Sequence, residues 1–439
     1  FSILGFNEVS YKKNSIYLLV LSFGSLIGSG LGFLTHILIA RNVSPETLGH
    51  YSAIFFLTST LAPLSGFGVS QYLLKVFGEH GWKGSAWIPA TLKFVKFSTL
   101  ATWLLLVIMA LMLQETRELK VAAIIMSIII ISNLFTELVG SIFQLEEKYT
   151  HLSLWQLTQS VLKFLLLAII VYGFNFKLNE ISISIIFALT AVLMAPFALY
   201  KIHKLKKGQI KLKGHEGKIC NEKIADVKVI DVFKESWPFG VSGFFYLIYF
   251  QLSIVIINYY MGAETAGNYS VAFTLITAAT IFPGIIYQKF LLPKMHRWAH
   301  QDRALLYKTY IFGNYIMGGI GIVVAITLYL IAPLLIEHVF GEKYVSALEI
   351  INYLLFVIPV YYVASSTGAT LITGEHMIQK IKYMGFTAAI SIIATISLIP
   401  LLGVNAAAAS LFISYTTIII LYAYANKYHV FNGKDKKHL

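Results

Sequence analysis

The sequence predicts an all-α integral membrane protein made of two parallel six-helix lobes around a central cavity. Its composition is the first observation: of 439 residues, 57% are hydrophobic and 13% are charged, and the mean hydropathy is +0.73. Such a chain is too apolar for a soluble protein of this size. The second observation is a series of twelve apolar stretches of about 20 residues, each long enough to cross a bilayer as a helix. The third is an octapeptide that occurs twice, as "PETLGHYS" and as "AETAGNYS".

The twelve predicted spans are bounded by polar segments. In chain order they are 15–39, 48–74, 88–113, 120–143, 151–173, 180–201, 236–260, 266–290, 307–334, 345–372, 379–401 and 404–426. Cytoplasmic loops retain Lys and Arg. With the amino terminus inside, the outer segments hold only Arg41, Arg117, Lys120, Lys177 and Lys343, and the inner segments, Lys380 and Lys382 among them, hold nearly all the rest. This asymmetry predicts that both termini are cytoplasmic.

The net charge of +13 would suggest nucleic acid as a partner of a soluble protein. In a membrane protein it is a topology signal and a contact with the anionic lipids of the inner leaflet, so no nucleic-acid partner is expected. No phosphate-binding loop of the Gly-x-x-x-x-Gly-Lys-[Ser/Thr] type occurs, and no His, Cys or carboxylate cluster has metal-ligand spacing. The sequence therefore predicts neither an enzyme nor a metal cofactor.

A basic segment at 202–235 without an apolar run divides the chain into an amino-terminal lobe, 1–201, and a carboxy-terminal lobe, 236–439. The repeated motif lies at corresponding places in the two lobes, at the outer connection between the first and second spans of each, with a constant offset of 218 residues. Its matching residues are Glu46, Thr47, Gly49, Tyr51 and Ser52 in the first copy and Glu264, Thr265, Gly267, Tyr269 and Ser270 in the second. An even number of crossings separates the copies, so the lobes are predicted to be a parallel duplication about an axis along the membrane normal. We interpret the motif as structural, with Glu and Thr at a helix start, Gly in a tight turn and Tyr at the membrane interface.

Several stretches resemble one transporter family. They are "HILIARNVSPETLGHYSAIF", "NYYMGAETAGNYSVAFTLI", "FLLPKM", and "HVFGEKYVSALEIINYL" followed by "LIPLLGVNAAAAS". In this order they resemble the polysaccharide-unit (Wzx-type) flippases. These flippases belong to the MOP superfamily and are related to the MATE exporters and the lipid II flippases. One departure is "SIIATIS" before "LIPLLG", which lacks the Asn that relatives often have there.

The resemblance implies a MATE-like fold and a function. The implied function is a flippase that moves a polyprenyl-diphosphate-linked oligosaccharide from the inner to the outer leaflet by alternating access, in O-antigen, capsule or exopolysaccharide biosynthesis. The implied substrate carrier is undecaprenyl diphosphate, and the implied location is the bacterial cytoplasmic (inner) membrane. Polysaccharide polymerase and chain-length proteins are the candidate protein partners.

An anionic diphosphate needs cations around the cavity. Lys75 and the cluster Lys289, Lys294 and Arg297 lie at corresponding inner ends of the second and eighth spans and could ring the cytoplasmic mouth. Ordinary positive-inside anchoring explains these residues equally well. Arg41 lies on the outer side, where positive charge is scarce, and is either a diphosphate ligand or an interfacial snorkelling arginine.

Two charged residues, Glu137 and Lys163, fall deep inside the predicted spans. Charge at this depth is costly and is a functional candidate by default. Two interpretations stay open. Either the two residues form a static buried ion pair, or Glu137 takes up a coupling cation, H⁺ or Na⁺, while Lys163 turns to the diphosphate.

Other classes of membrane protein would require other residues. A MATE-type cation-coupled drug exporter would favour acidic cavity residues, and a sugar permease of the major facilitator class would carry Asp-Arg and Gly-Arg pairs that "GEHGWKGSAW" lacks. An integral-membrane glycan polymerase or ligase would need a large outer loop with Arg and His, whereas every predicted outer loop is short.

Overall fold

The computed structural model describes residues 8–112, 116–212, 227–291, 295, 298, 303–372 and 377–431. Within these residues the regular structure is helical, and ten helices plus two bent helix pairs are long and apolar enough to cross a membrane. The twelve spans are α1 (Glu8–Asn42), α2 (Pro45–Leu61, Pro63–Gly66 and Val69–His80), α3 (Ile88–Met112), α4 (Arg117–Met126 and Ile129–Leu145), α5 (Tyr149–Ala168 and Ile169–Gly173), α6 (Glu180–Lys206), α7 (Val229–Gln251 and Ser253–Met261), α8 (Ala263–Ala279, Ile281–Gly284 and Ile285–Leu291), α9 (Arg303–Leu334 and Leu335–Phe340), α10 (Ala347–Leu354 and Val357–Ala369), α11 (Met377–Leu402) and α12 (Asn405–Ala425 and Asn426–Val430).

The same helix pairs pack in both halves of the chain. In the first half α1 packs along α5 and α4 along α6, and in the second half α7 packs along α11 and α10 along α12. A parallel duplication produces this correspondence. Helix α6 extends to Lys206 and α7 begins at Val229, so both reach further into the linker than the predicted spans did. The lobe boundaries at 201 and 235 stay a prediction. We call the end with the predicted cytoplasmic segments the inner end.

Several spans are broken at membrane depth. Helix α2 is interrupted around Phe67 and Gly68, both with positive φ, and α7 and α10 bend by 45° and 40°. A broken helix frees carbonyl groups that lipid cannot hydrogen-bond. At the α2 break Ser98 and Thr99 of α3 donate hydrogen bonds of 2.5 and 2.9 Å to the carbonyl oxygen of Ser65. The break is therefore stabilised by the neighbouring helix.

The repeated motif is where the two lobes cross at the outer end. Gly49 of α2 and Gly267 of α8 face each other's backbones: a Cβ on Gly49 would lie 1.7 Å from the Ala263 oxygen, and one on Gly267 would lie 2.0 Å from the Pro45 oxygen. We call this contact the outer glycine crossing. Only a residue without a side chain lets two helices approach so closely.

The interpretation of the motif glycines was wrong. Gly49 and Gly267 lie inside helices and not in tight turns, and close helix contact, not a positive φ, requires glycine there. Tyr51 and Tyr269 are 4% and 1% exposed, so both side chains pack inside the protein, and their depth in the membrane stays a prediction. The expected helix start is present: Ser44 caps α2 by accepting a hydrogen bond from the Thr47 amide, and acidic residues occupy the first turns of α2 and α8.

A second close contact joins the lobes nearer the inner end. A Cβ on Gly240 of α7 would lie 2.5 Å from the Phe67 Cα, and one on Gly68 would lie 2.3 Å from the Phe239 Cβ. We call this the inner glycine crossing. Further inward along α2 and α7, the Lys75 ammonium lies 3.2 Å from the Glu235 carboxylate. The inner crossing and this ion pair thus close the α2–α7 side of the lobe interface.

Candidate functional site

Aromatic rings run across the lobe interface between the two crossings. The ring of Phe55 packs on Phe56 at 5.4 Å between centroids, Phe56 on Phe273 at 5.8 Å, Phe273 on Phe250 at 5.2 Å, and Phe250 on Tyr246 at 5.4 Å. We call these five residues the ring layer. It starts on α2, passes through α8 and ends on α7, so it connects the interior of one lobe with that of the other.

Lys163 lies against the first-lobe end of the ring layer. Its Nζ is 5.9 Å from the centroid of Phe55 and 5.1 Å from that of Phe187 on α6. It is 14 residues from the inner end of α5, about 21 Å at 1.5 Å per residue. Among the described residues it has neither an acidic partner nor a hydrogen bond. Aromatic faces stabilise an ammonium but leave its positive charge uncompensated.

Glu137 faces the space between the lobes. It lines a cavity of about 320 Å³ together with Asn133, Thr136 and Gln159 of its own lobe and Leu247 of the other. The Gln159 amide donates hydrogen bonds to Asn133 Oδ1 at 2.8 Å and to Ser132 Oγ at 3.0 Å, which holds the polar wall together. The Glu137 side chain is exposed within this cavity. A carboxylate in such a polar pocket can take up a cation.

Glu137 and Lys163 do not meet. Within the described part of the chain no ion pair joins them at 4.0 Å or less. The static buried pair is therefore absent from this structure, and the switch remains a hypothesis.

Arg41 is exposed at the outer end of α1. The backbone around it is contacted by the side chains of Lys343 and Tyr344. The Lys343 ammonium donates to the carbonyl oxygens of Arg41 at 3.0 Å and Val43 at 2.6 Å, and the Tyr344 hydroxyl donates to that of Ala40 at 2.9 Å. These hydrogen bonds come from side chains of the second lobe and satisfy the free carbonyl groups at the carboxy terminus of α1. Partial burial, and then the charge of Arg41, lower the pKa of Lys343.

The predicted inner mouth is described only in part. Lys75 pairs with Glu235 of the opposite lobe, an exposed contact that favours closure of this side. Lys289 is on the π-helical turn Ile285–Leu291, where only its backbone is described. Lys294 and Arg297 lie outside the described residues.

Sequence reasoning missed one internal cation. The charge pattern places Lys380 in an inner segment, yet in the structure it lies on α11 and lines a cavity in the second lobe with several tyrosines. Tyr246 and Tyr249 are three residues apart on α7, and Tyr415 and Tyr422 are seven apart on α12. This spacing puts each pair on one helix face and is the signal that could have located the cavity.

Known proteins show the same architecture. The structure matches an inward-facing multidrug resistance MATE family transporter of the MOP superfamily with a TM-score of 0.68 and 14% identity, over 94% of this chain and 97% of the other. It matches the lipid II flippase MurJ, in an inward closed conformation, with a TM-score of 0.65 and 15% identity over 93% and 87% of the two chains. A eukaryotic MATE transporter, AtDTX14, gives a TM-score of 0.62 and 11% identity over 97% and 98%. Comparison with curated protein sequences gave no match.

The helices define a multi-pass membrane protein, and its fold is that of solved structures of the MOP superfamily. The family model for "Polysaccharide biosynthesis protein" matches residues 12–298, more than half of the chain. The chain belongs to this family.

Proposed function

We propose that this protein is a flippase that carries a polyprenyl-diphosphate-linked oligosaccharide from the inner to the outer leaflet of the bacterial cytoplasmic membrane. The observation that carries the proposal is Lys163, an ammonium at membrane depth with no counter-ion among the described residues. Because an uncompensated internal cation is unfavourable, an anionic group that reaches it gains charge-assisted hydrogen bonds. A diphosphate is such a group, and the family membership supports a glycan as the cargo.

The two glycine crossings support alternating access. The outer crossing joins α2 to α8, and the inner crossing joins α2 to α7, so each closes the lobe interface at a different level. A rocking motion of the lobes would open either crossing while the other keeps the opposite side closed. The lipid tail would remain in the bilayer while the head group passes between the lobes.

Glu137 is our candidate for the coupling site, and H⁺ or Na⁺ is the candidate ion. Its cavity contains residues of both lobes, so the arrangement of its ligands changes when the lobes move. Arg41 is our candidate for receiving the diphosphate at the outer end, and Lys75, Lys289, Lys294 and Arg297 for capturing it at the inner mouth.

Purified protein in liposomes tests the proposal. A fluorescent undecaprenyl-diphosphate glycan placed in one leaflet should appear in the other faster than in protein-free liposomes, and Lys163→Met should return the rate to that baseline. A cell that lacks the protein and any redundant flippase, and yet polymerises its surface glycan normally, would contradict the proposal. Mass spectrometry of lipid that co-purifies with the protein would identify the glycan.

A cation-coupled drug exporter is the second candidate function, because the Glu137 carboxylate lines the interlobe cavity. A permeant cationic dye in the same liposomes separates the two functions. Dye movement that needs Glu137, without glycan movement, would replace the first proposal with the second.

A further inference from the structure

The second lobe contains an internal cavity of about 130 Å³ between α7, α8, α10, α11 and α12. Six tyrosines form most of its polar wall: Tyr246, Tyr249, Tyr287, Tyr361, Tyr415 and Tyr422. Lys380 is its one charged lining residue among the residues that the structure describes. We call this space the tyrosine cavity.

Among the residues that the structure describes, the tyrosine cavity presents hydrogen-bond donors and a positive charge but no acidic group. The Lys380 Nζ lies 5.8 Å from the centroid of Tyr422 and makes no hydrogen bond or ion pair with any described residue. Tyr415 is 3% exposed, and its buried hydroxyl has no hydrogen-bond partner in the described part of the chain. Tyr287 is already bonded to Ser366 at 2.7 Å. An unpartnered buried hydroxyl and an ammonium without a described counter-ion line the same cavity, and both are costly unless a ligand satisfies them.

The chemistry of these groups selects the ligand. An ammonium donates three hydrogen bonds and accepts none, and a tyrosine hydroxyl donates readily to a charged oxygen. Together they fit an oxyanion such as a phosphate. The cavity has room for a single small anionic group, whereas an oligosaccharide exceeds it.

The position of the cavity relates it to the proposed transport path. Tyr246 belongs both to its wall and to the ring layer, whose other end lies under Lys163. One internal lysine therefore stands on each side of the ring layer, one per lobe. They are not duplicated positions, because Lys163 is 14 residues along α5 and Lys380 only three residues along α11.

We propose that the tyrosine cavity is a second anion site, in the second lobe, that takes a phosphate-class group through Lys380 and Tyr415. The group comes either from the lipid diphosphate of the cargo, in which case the inference rests on the proposed function, or from free phosphate.

Binding to the detergent-solubilised full chain tests the site. Pyrophosphate and farnesyl diphosphate are titrated separately by calorimetry, with the shift in melting temperature as a second readout. Lys380→Met should weaken binding at least tenfold, and Lys380→Arg should retain most of it. Lys382→Met is the matched control, since Lys382 is an exposed lysine two residues along the same helix, and it should bind as the wild type does.

Tyr415→Phe keeps the test decisive if Lys380→Met does not fold. It removes only the unpartnered hydroxyl, so the melting temperature without ligand should stay or rise while binding weakens several-fold. Tyr424→Phe, at an exposed position of α12, should change neither.

Each outcome decides a point. Lys380-dependent binding of pyrophosphate indicates a free anion as a sufficient ligand, and binding of farnesyl diphosphate alone indicates the lipid head group. Absence of binding, or equal binding by Lys380→Met, Tyr415→Phe and the wild type, overturns the inference. Liposome transport without such binding leaves the proposed function intact, and binding without transport leaves only the site.

Discussion

At the scale of single residues, Lys163 and Glu137 have separate surroundings, and separate effects are expected from their substitution. We expect Lys163→Ala to lose transport because the cargo loses its internal cation, and Glu137→Gln to keep substrate binding but lose the response of transport to a pH or sodium gradient. Liposome transport with and without each gradient, together with melting temperatures, checks both variants.

The double apolar variant distinguishes the two interpretations of these residues. A static pair predicts that each single change lowers stability and that the double replacement restores transport. The switch predicts that the double variant is as inactive as Lys163→Ala. A fully active and gradient-responsive Glu137→Gln protein would remove Glu137 from the mechanism.

Glu146, just past the inner end of α4, carries a pH-dependent contribution to stability. Burial raises the pKa of this carboxyl, but hydrogen bonds from the Lys148 ammonium at 2.9 Å and the Lys211 amide at 3.3 Å outweigh burial, so its pKa is lowered. A carboxyl with a lowered folded pKa stabilises the protein above its unfolded pKa, and this stability is lost as the pH falls through the folded pKa.

We therefore expect Glu146→Gln to lower the free energy of unfolding at pH 7 by about 1.5–3 kcal/mol, the range for hydrogen bonds to a charged group. The difference from the wild type should shrink as the pH falls below about 4. Thermal unfolding across this pH range measures it, with Glu337→Gln at an exposed position as the control. A pH-independent difference would mean that the carboxylate charge is not responsible.

At the scale of helices, the sequence predicted the spans well because a run of about 20 apolar residues has one stable conformation in a bilayer. It did not predict the breaks in α2 and α7. The α2 break depends on Ser98 and Thr99 of another helix, and the α7 break at Gln251 on a hydrogen bond of 3.2 Å to Thr60 across the lobes. Hydropathy along one segment contains no such tertiary information. For the same reason Lys380 resembled a loop residue, since its cavity is built by four other helices.

The glycine crossings make opposite predictions for the inner and outer ends of the protein. Gly49→Ala or Gly267→Ala places a methyl group on a backbone carbonyl and should open the outer crossing, so outer-end cysteine probes become more accessible. Gly240→Ala should open the inner crossing and expose inner-end probes. Overpacking of this kind costs about 1–3 kcal/mol, enough to shift the populations of the two states.

Two glycines on the same helices serve as controls for this test. Gly78 on α2 and Gly284 on α8 have no atom within 4 Å of an added Cβ, so their Ala variants should label as the wild type does. If Gly49→Ala and Gly78→Ala behave alike, close packing at the crossing is not what closes the outer end.

The prediction for the basic end of α8 rests on the sequence alone. Replacing Lys289, Lys294 and Arg297 together by Gln should slow transport at limiting substrate, because a dianionic head group loses its capture site, while insertion in the membrane is unchanged. The matched control is Lys93→Gln with Lys96→Gln, two exposed basic residues of α3. Unchanged transport at equal protein level would mean that the three residues serve only to anchor the helix end at the membrane.

At the scale of the whole molecule, the charge of the proposed cargo would supply a driving force. A diphosphate of charge about −2 that moves outward across an inside-negative membrane gains about 4–5 kcal/mol per 100 mV, at about 2.3 kcal/mol for each charge. We expect flipping in liposomes to accelerate when a potassium diffusion potential is made negative on the side that donates the lipid. A rate independent of the imposed potential would show that the cargo crosses with its charge neutralised.

The outer glycine crossing also has a consequence for biogenesis. Gly49 packs against a helix whose matching glycine lies 218 residues later in the chain. At about 5–20 residues per second, a ribosome needs about 10–40 s to synthesise that interval. During this time α3 to α7 are synthesised, while α2 stays in the membrane with its glycine surface not yet covered by α8. Nascent chains stalled before α8 should therefore bind an insertase, a chaperone or a second nascent copy. We expect the nascent chain to dissociate from this binding partner when Gly267 emerges.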